Sequence, residues 1–105
     1  MKKALLLLAT AMLLAGTGCY KKGNLPEADF SYRQDADGKA PDTVTFINLS
    51  QNASSFEWTF GDGQSSTAES PVHIYVDTGN YTVTLKAYSS HEAEWAVKSN
   101  PIHVK

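Results

Sequence analysis

Few side chains in this 105-residue sequence are spaced for covalent chemistry. Asp62 stands between Gly61 and Gly63, where a carboxylate could serve a cation or a proton. Its simpler role is to accept hydrogen bonds from the amides of its own turn. His73 alternates out of phase with Val72 and Ile74, and is read as a partner of a neighbouring strand or of the Gly61–Gly63 turn. His91, Glu92 and Glu94 form the densest titratable cluster. A metal site needs several convergent ligands, and a second histidine at helical spacing is absent, so the cluster reads as an exposed polar loop. Asp35-Ala36-Asp37-Gly38 invites a calcium reading. Arg33 and Val44 occupy the positions where that loop type needs oxygen ligands, so a turn is expected. No Ser-His-Asp arrangement is recognisable. The expectation is no catalytic residue, no metal and no cofactor. What remains is recognition, with Trp95 the side chain best suited to it: a flat aromatic stacks on a sugar face or anchors a protein contact.

These residues must be carried by strands. Phe56, Trp58 and Phe60 alternate with Glu57 and Thr59, which puts three aromatics on one face and two polar groups on the other. Gly61-Asp62-Gly63 ends that strand. Before it, residues 28–32 read as an edge strand, residues 34–42 as a polar loop, and residues 43–48 as a strand with Val44 and Phe46 on one face. After it, residues 64–67 run back as a short polar edge. Residues 71–76 form the next strand, with Pro71 at its start. Residues 77–80 turn, and residues 81–88 alternate most cleanly: Tyr81, Val83, Leu85 and Ala87 in, Thr82, Thr84 and Lys86 out. Residues 95–98 and 101–104 read as a last strand interrupted near Asn100-Pro101. Six or seven short strands with turn signals between them predict an all-β sandwich.

The first residues read differently. Met1-Lys2-Lys3 is a short positive start, residues 4–15 are almost unbrokenly apolar, and Gly16-Thr17-Gly18 precedes Cys19. This is the layout of a secretory signal peptide over residues 1–18, and the apolar run is too short to span a bilayer. The lone Cys19 allows no intrachain disulfide. Its setting resembles the lipobox of bacterial lipoproteins, in which the cysteine becomes the lipidated first residue. Gly16 stands where that motif usually has Leu, and Leu14 lies two residues further upstream. The resemblance implies a lipid anchor, a cell-envelope location and, with Tyr20 in place of Asp, sorting to the outer membrane. Residues 19–27 then form a tether carrying Gly23 and Pro26. Lys21 and Lys22 lie beside the membrane in that arrangement, as a solvated linker or against anionic head groups. Cleavage removes Lys2 and Lys3 from the nine cations, against eleven Asp and Glu, and takes the formal charge from −2 to −4. That balance argues against a nucleic-acid partner.

Asp77-Thr78-Gly79-Asn80-Tyr81-Thr82-Val83 has the layout of an immunoglobulin tyrosine corner, with Val83 in place of the usual cysteine. Trp58 takes the place of the core tryptophan of that fold, and Val44 or Phe46 fills the opposing position. The sequence resembles the PKD domain family over residues 28–105. The resemblance rests on Trp58-Thr59-Phe60-Gly61-Asp62-Gly63, with Thr59 where the family usually has Asp. It rests also on Ser70-Pro71-Val72-His73-Ile74-Tyr75, followed by Gly79-Asn80-Tyr81-Thr82-Val83-Thr84-Leu85. It implies an immunoglobulin-like sandwich of about seven strands. It implies also an extracellular binding or spacer unit, often attached to enzymes that degrade polysaccharide or protein, and not a catalyst. In such a sandwich residues 49–55, including Asn52, and residues 89–94 are loops at one end, with Trp95 at their rim. Asn52, His91, Glu92, Glu94 and Trp95 are therefore the ligand-binding candidates, for a polysaccharide or an envelope protein. The alternatives are a structural spacer, an assembly subunit that docks through an open sheet edge, and a hydrolase dependent on His91 or Asp62.

Overall fold

The computed structural model describes residues 25–35, 37–91 and 93–105. Seven strands run in chain order: β1 (Phe30–Gln34), β2 (Asp42–Asn48), β3 (Ser55–Thr59), β4 (Ser65–Ser66), β5 (Val72–Tyr75), β6 (Gly79–Tyr88) and β7 (Trp95–Val104). They form two antiparallel sheets, one ordered β1-β2-β5 and the other β4-β3-β6-β7. This is the expected β-sandwich.

The aromatic alternation explains the core. Trp58 is fully buried, with Phe30 edge-on at 5.0 Å and Phe46 tilted at 5.2 Å between ring centroids. Phe60 extends the cluster at 5.5 Å from Phe46. Val44, Val83 and Leu85 fill the remaining space between the sheets. A sandwich of immunoglobulin type usually carries a disulfide there; here apolar contact occupies the same space.

Polar side chains lace the two sheets together. The indole Nε1 of Trp58 donates to the Ala68 carbonyl at 2.9 Å. Tyr32 Oη, on β1, donates to the Pro101 carbonyl on β7 at 3.2 Å. Gln34 Nε2 donates both to Asp42 Oδ2 at 2.7 Å and to the His103 carbonyl at 2.9 Å. Asp42 is fully buried, and its second oxygen accepts the Asp35 amide at 3.1 Å. Both carboxylate oxygens are therefore satisfied, which a buried charge requires. Tyr81 Oη donates to the Asp77 carbonyl at 2.8 Å, the bond that defines a tyrosine corner.

The largest departure from expectation is in the last strand. β7 is continuous through Asn100 and Pro101, where an interruption is predicted. It lies at the edge of its sheet. A proline is tolerated on an edge strand because its missing N–H leaves no ladder bond unmade on the open side.

Candidate functional site

The Gly61-Asp62-Gly63 turn is a structural joint. Asp62 Oδ1 accepts the Gln64 amide at 3.1 Å, and Asp62 Oδ2 lies 2.7 Å from His73 Nε2. The His73 ring stacks on Phe60 at 4.1 Å with 8° between planes, and Tyr75 meets it edge-on at 4.7 Å. Tyr75 Oη donates to the Phe60 carbonyl at 2.7 Å from a buried position. So β5 of one sheet is bonded twice to the end of β3 in the other. The carboxylate and imidazole are used on each other, and Asp62 and His73 are placed as packing groups.

Tyr75 carries a testable consequence. Burial, then the nearby charge of Asp62, holds its phenol well above the ordinary tyrosine range. In the unfolded chain the phenol ionises near pH ~10. The folded chain keeps its proton there, so its contribution to stability is complete below about pH 10 and is lost as pH rises further. Urea unfolding should therefore show a stability that falls above about pH 10, with a shallower fall in Tyr75→Phe. At neutral pH that variant should cost about 1–3 kcal/mol, because the Phe60 carbonyl is left without its donor.

Two of the predicted loop candidates, Asn52 and Glu94, also hold the fold. Asn52, with φ of 59°, donates from Nδ2 to the Leu25 carbonyl at 3.2 Å. Glu27 and Gln51 exchange backbone bonds of 2.9 Å. Asn52 thus helps hold the segment that leads into β1. His91 lies exposed in the β6–β7 turn. Glu94 closes that turn: the Ser89 amide donates to its carbonyl at 2.9 Å, and its own amide donates to Ser89 Oγ at 3.3 Å. Glu92 and Cys19 lie outside the described residues. Among the described residues no group of three His, Cys, Asp or Glu could hold a metal ion. Asp35 and Asp37 belong to a turn closed by the Gly38 amide on the Asp35 carbonyl at 2.9 Å.

Trp95 has different company. It opens β7 directly opposite Tyr88 of β6, and Tyr88 lies opposite Ser55 of β3. The adjacent row is Glu57, Lys86 and Val97. Directly opposed residues share a sheet face. Both rows look away from the core, since Ala87 between them and Leu85 beyond Lys86 are buried. Trp95 is 56% exposed. Lys86 Nζ lies 5.6 Å from the ring centroids of both Tyr88 and Trp95, within cation–π distance. Tyr88 Oη donates to Glu57 Oε1 at 3.2 Å. Beyond Tyr88 the surface dips into a depression of about 310 Å³ lined by Ser55, Phe56, Glu57, Thr67 and Tyr88. The aromatic surface therefore belongs to the outer face of the four-stranded sheet. Tyr88, Lys86 and Glu57 join Trp95 there. Strict alternation from Val83 already turns Lys86 and Tyr88 outward. Their alignment with Trp95 needs the β6–β7 register.

A family model described as PKD domain matches residues 24–104. Among solved structures, the PKD1 domain of the Vibrio cholerae metalloprotease PrtV is 27% identical, with a TM-score of 0.66, over 77% of this chain and 98% of that one. The PKD1 domain of Vibrio anguillarum Epp is 26% identical, with a TM-score of 0.67, over 77% and 94%. The sequence is also 45% identical to Collagenase ColA of Bacillus cereus over 40 residues, which is 38% of this chain and 4% of that enzyme.

Proposed function

The chain belongs to the PKD domain family, and from that membership we propose that it is a non-enzymatic binding module held in the cell envelope by a lipid on Cys19. It recognises a glycan or an envelope protein. The observation that carries this reading is the exposed Trp95 beside the half-buried Tyr88 on the outer sheet face, with Lys86 over both rings. The Vibrio cholerae relative supports it as the PKD1 domain of a metalloprotease, and the collagenase match covers only a fragment of that enzyme.

The anchor and the face are compatible in space. The segment entering β1 lies beside residues 49–51, at the end of the sandwich where β7 begins. Leu25 is six residue steps from Cys19, which reach at most about 20–22 Å. A lipid on Cys19 would therefore keep the end of the sandwich at residues 49–51 within that reach of the bilayer. Cys19→Ser should abolish incorporation of radiolabelled palmitate and release the chain from sedimented membranes. Unchanged labelling would remove the anchor from the proposal.

The recognition claim is tested by retention from native cell envelope, with the chain immobilised beside its Trp95→Ala variant. One polysaccharide or protein held by the first and lost by the second is the expected result. Equal retention by both would place binding elsewhere.

A second reading has its own observation. Val72 and Ile74 point outward from β5, a strand with one open edge, and Val76 beyond it is also exposed. An uncharged β-branched edge can accept a partner's strand. In that case the chain is an assembly subunit, and cross-linking in whole cells should join it to a neighbour through residues 72–76. A Val72→Lys variant should then lose the cross-link.

A further inference from the structure

We infer that the outer face of the four-stranded sheet binds an electrically neutral polysaccharide, with one sugar ring on Trp95, the next on Tyr88, and the chain continuing into the depression beside Ser55 and Thr67. This rests on the proposed function, and narrows its ligand from a glycan or protein to one chemical class.

Three observations select that class. The first is direction. Trp95, Tyr88 and Ser55 lie in one row across β7, β6 and β3. Neighbouring strands are about 4.7–4.9 Å apart, a step close to one pyranose residue of an extended glycan. A row across strands therefore offers successive subsites to successive sugars. A peptide strand would instead add along a sheet edge, and this face is not an edge.

The second is the pairing of charges. Glu57 and Lys86 are opposed on adjacent strands, and both contact the aromatic row: Glu57 accepts from Tyr88 Oη at 3.2 Å, and Lys86 Nζ lies 5.6 Å from both rings. One is a pure acceptor and the other a pure donor. Sugar hydroxyls do both, so a diol edge satisfies the two together. An acidic glycan would meet Glu57 beside Lys86, on a chain whose formal charge is already −2. An apolar protein surface would cover two charges without replacing their hydration, which costs more than the contact returns.

The third is the aromatic pair itself. An exposed indole beside a phenol presents an apolar body with a polar tip. That matches a pyranose, whose face carries C–H groups and whose rim carries hydroxyls.

The experiment is affinity electrophoresis of the full chain in detergent micelles, through gels containing mixed-linkage β-glucan, galactomannan or alginate. Retardation by at least one neutral polymer is expected, and raising the salt should not reverse it, since no ion pair with the ligand is broken. Trp95→Ala should weaken retardation roughly tenfold or more, as loss of a central aromatic contact does. Glu57→Gln and Lys86→Gln should weaken it less, because each amide keeps part of the hydrogen bonding. Melting curves of all three variants should match the parent, because these side chains lie outside the core. Retardation by alginate alone, lost at high salt, would overturn the inference while leaving the face a binding site. So would Trp95-dependent capture of an envelope protein without retardation by any neutral polymer. Failure of every polymer together with no Trp95-dependent retention from envelope would overturn both this inference and the function it rests on.

Discussion

Trp58→Ala is expected to remove about 3–5 kcal/mol of stability, a large share of the 5–15 kcal/mol typical of a folded domain. The indole is fully buried and joins both sheets: Phe30 and Phe46 come from one, and β3 itself belongs to the other. Truncation removes apolar contact on both sides at once. The cavity cannot fill without moving strands that are already in register with β4 and β6. The Ala68 carbonyl also loses its donor. Urea unfolding followed by circular dichroism should show a lower midpoint with an unchanged slope. Trp58→Phe should fall between parent and alanine, because it keeps most of the area but not the N–H bond. The one remaining tryptophan, Trp95, then reports by fluorescence on the outer face of the same variant.

Gly61→Ala should cost about 3 kcal/mol or more, and Gly63→Ala only about 1–2 kcal/mol. Both glycines have positive φ, +86° and +91°, where a side chain is strained. The difference is what a Cβ would meet. At Gly61 it would lie 2.7 Å from the Thr82 carbonyl oxygen and 2.9 Å from the Thr82 nitrogen; at Gly63 nothing lies within 4 Å. Thr82 is main chain in the middle of β6, paired to Pro101, and cannot rotate aside. Relief of the overlap would lift the turn off β6 and loosen Asp62 from His73. Equal losses for the two variants, measured by urea titration, would contradict the close approach as the reason for glycine at this position.

Much of this architecture was readable from residue order. Phe56, Trp58 and Phe60 announced the core, and the residues from Tyr81 to Ala87 announced β6, because strict alternation survives wherever one face is buried and the other wet. Asp62 was legible as a turn group because glycines flank it, and His73 as a partner of that turn, although the apolar Val72 and Ile74 beside it face outward. Pro101 misled for a local reason: its effect depends on whether the strand has a neighbour on that side, which is a property of the sheet. The proposed binding surface was half legible. Trp95 stood out as an aromatic beside a polar loop, and Asn52, His91, Glu92 and Glu94 were grouped with it by loop position. Asn52 also ties down the segment before β1, and the main chain of Glu94 closes its own turn. The residues beside Trp95, namely Tyr88, Lys86 and Glu57, come from two other strands. Their meeting is set by strand order and register, which depend on the whole chain.

The central claim is that this domain works through the outer face of its four-stranded sheet. The most direct test is nuclear magnetic resonance of the ¹⁵N-labelled chain titrated with polysaccharide from its own cell envelope. The account predicts that the Trp95 indole signal and the amides of Glu57, Lys86, Tyr88 and Val97 shift together, while those of Asn52, His91 and residues 72–76 stay still. Shifts confined to Asn52 and His91, or to the β5 edge, or no shift at all, would contradict it.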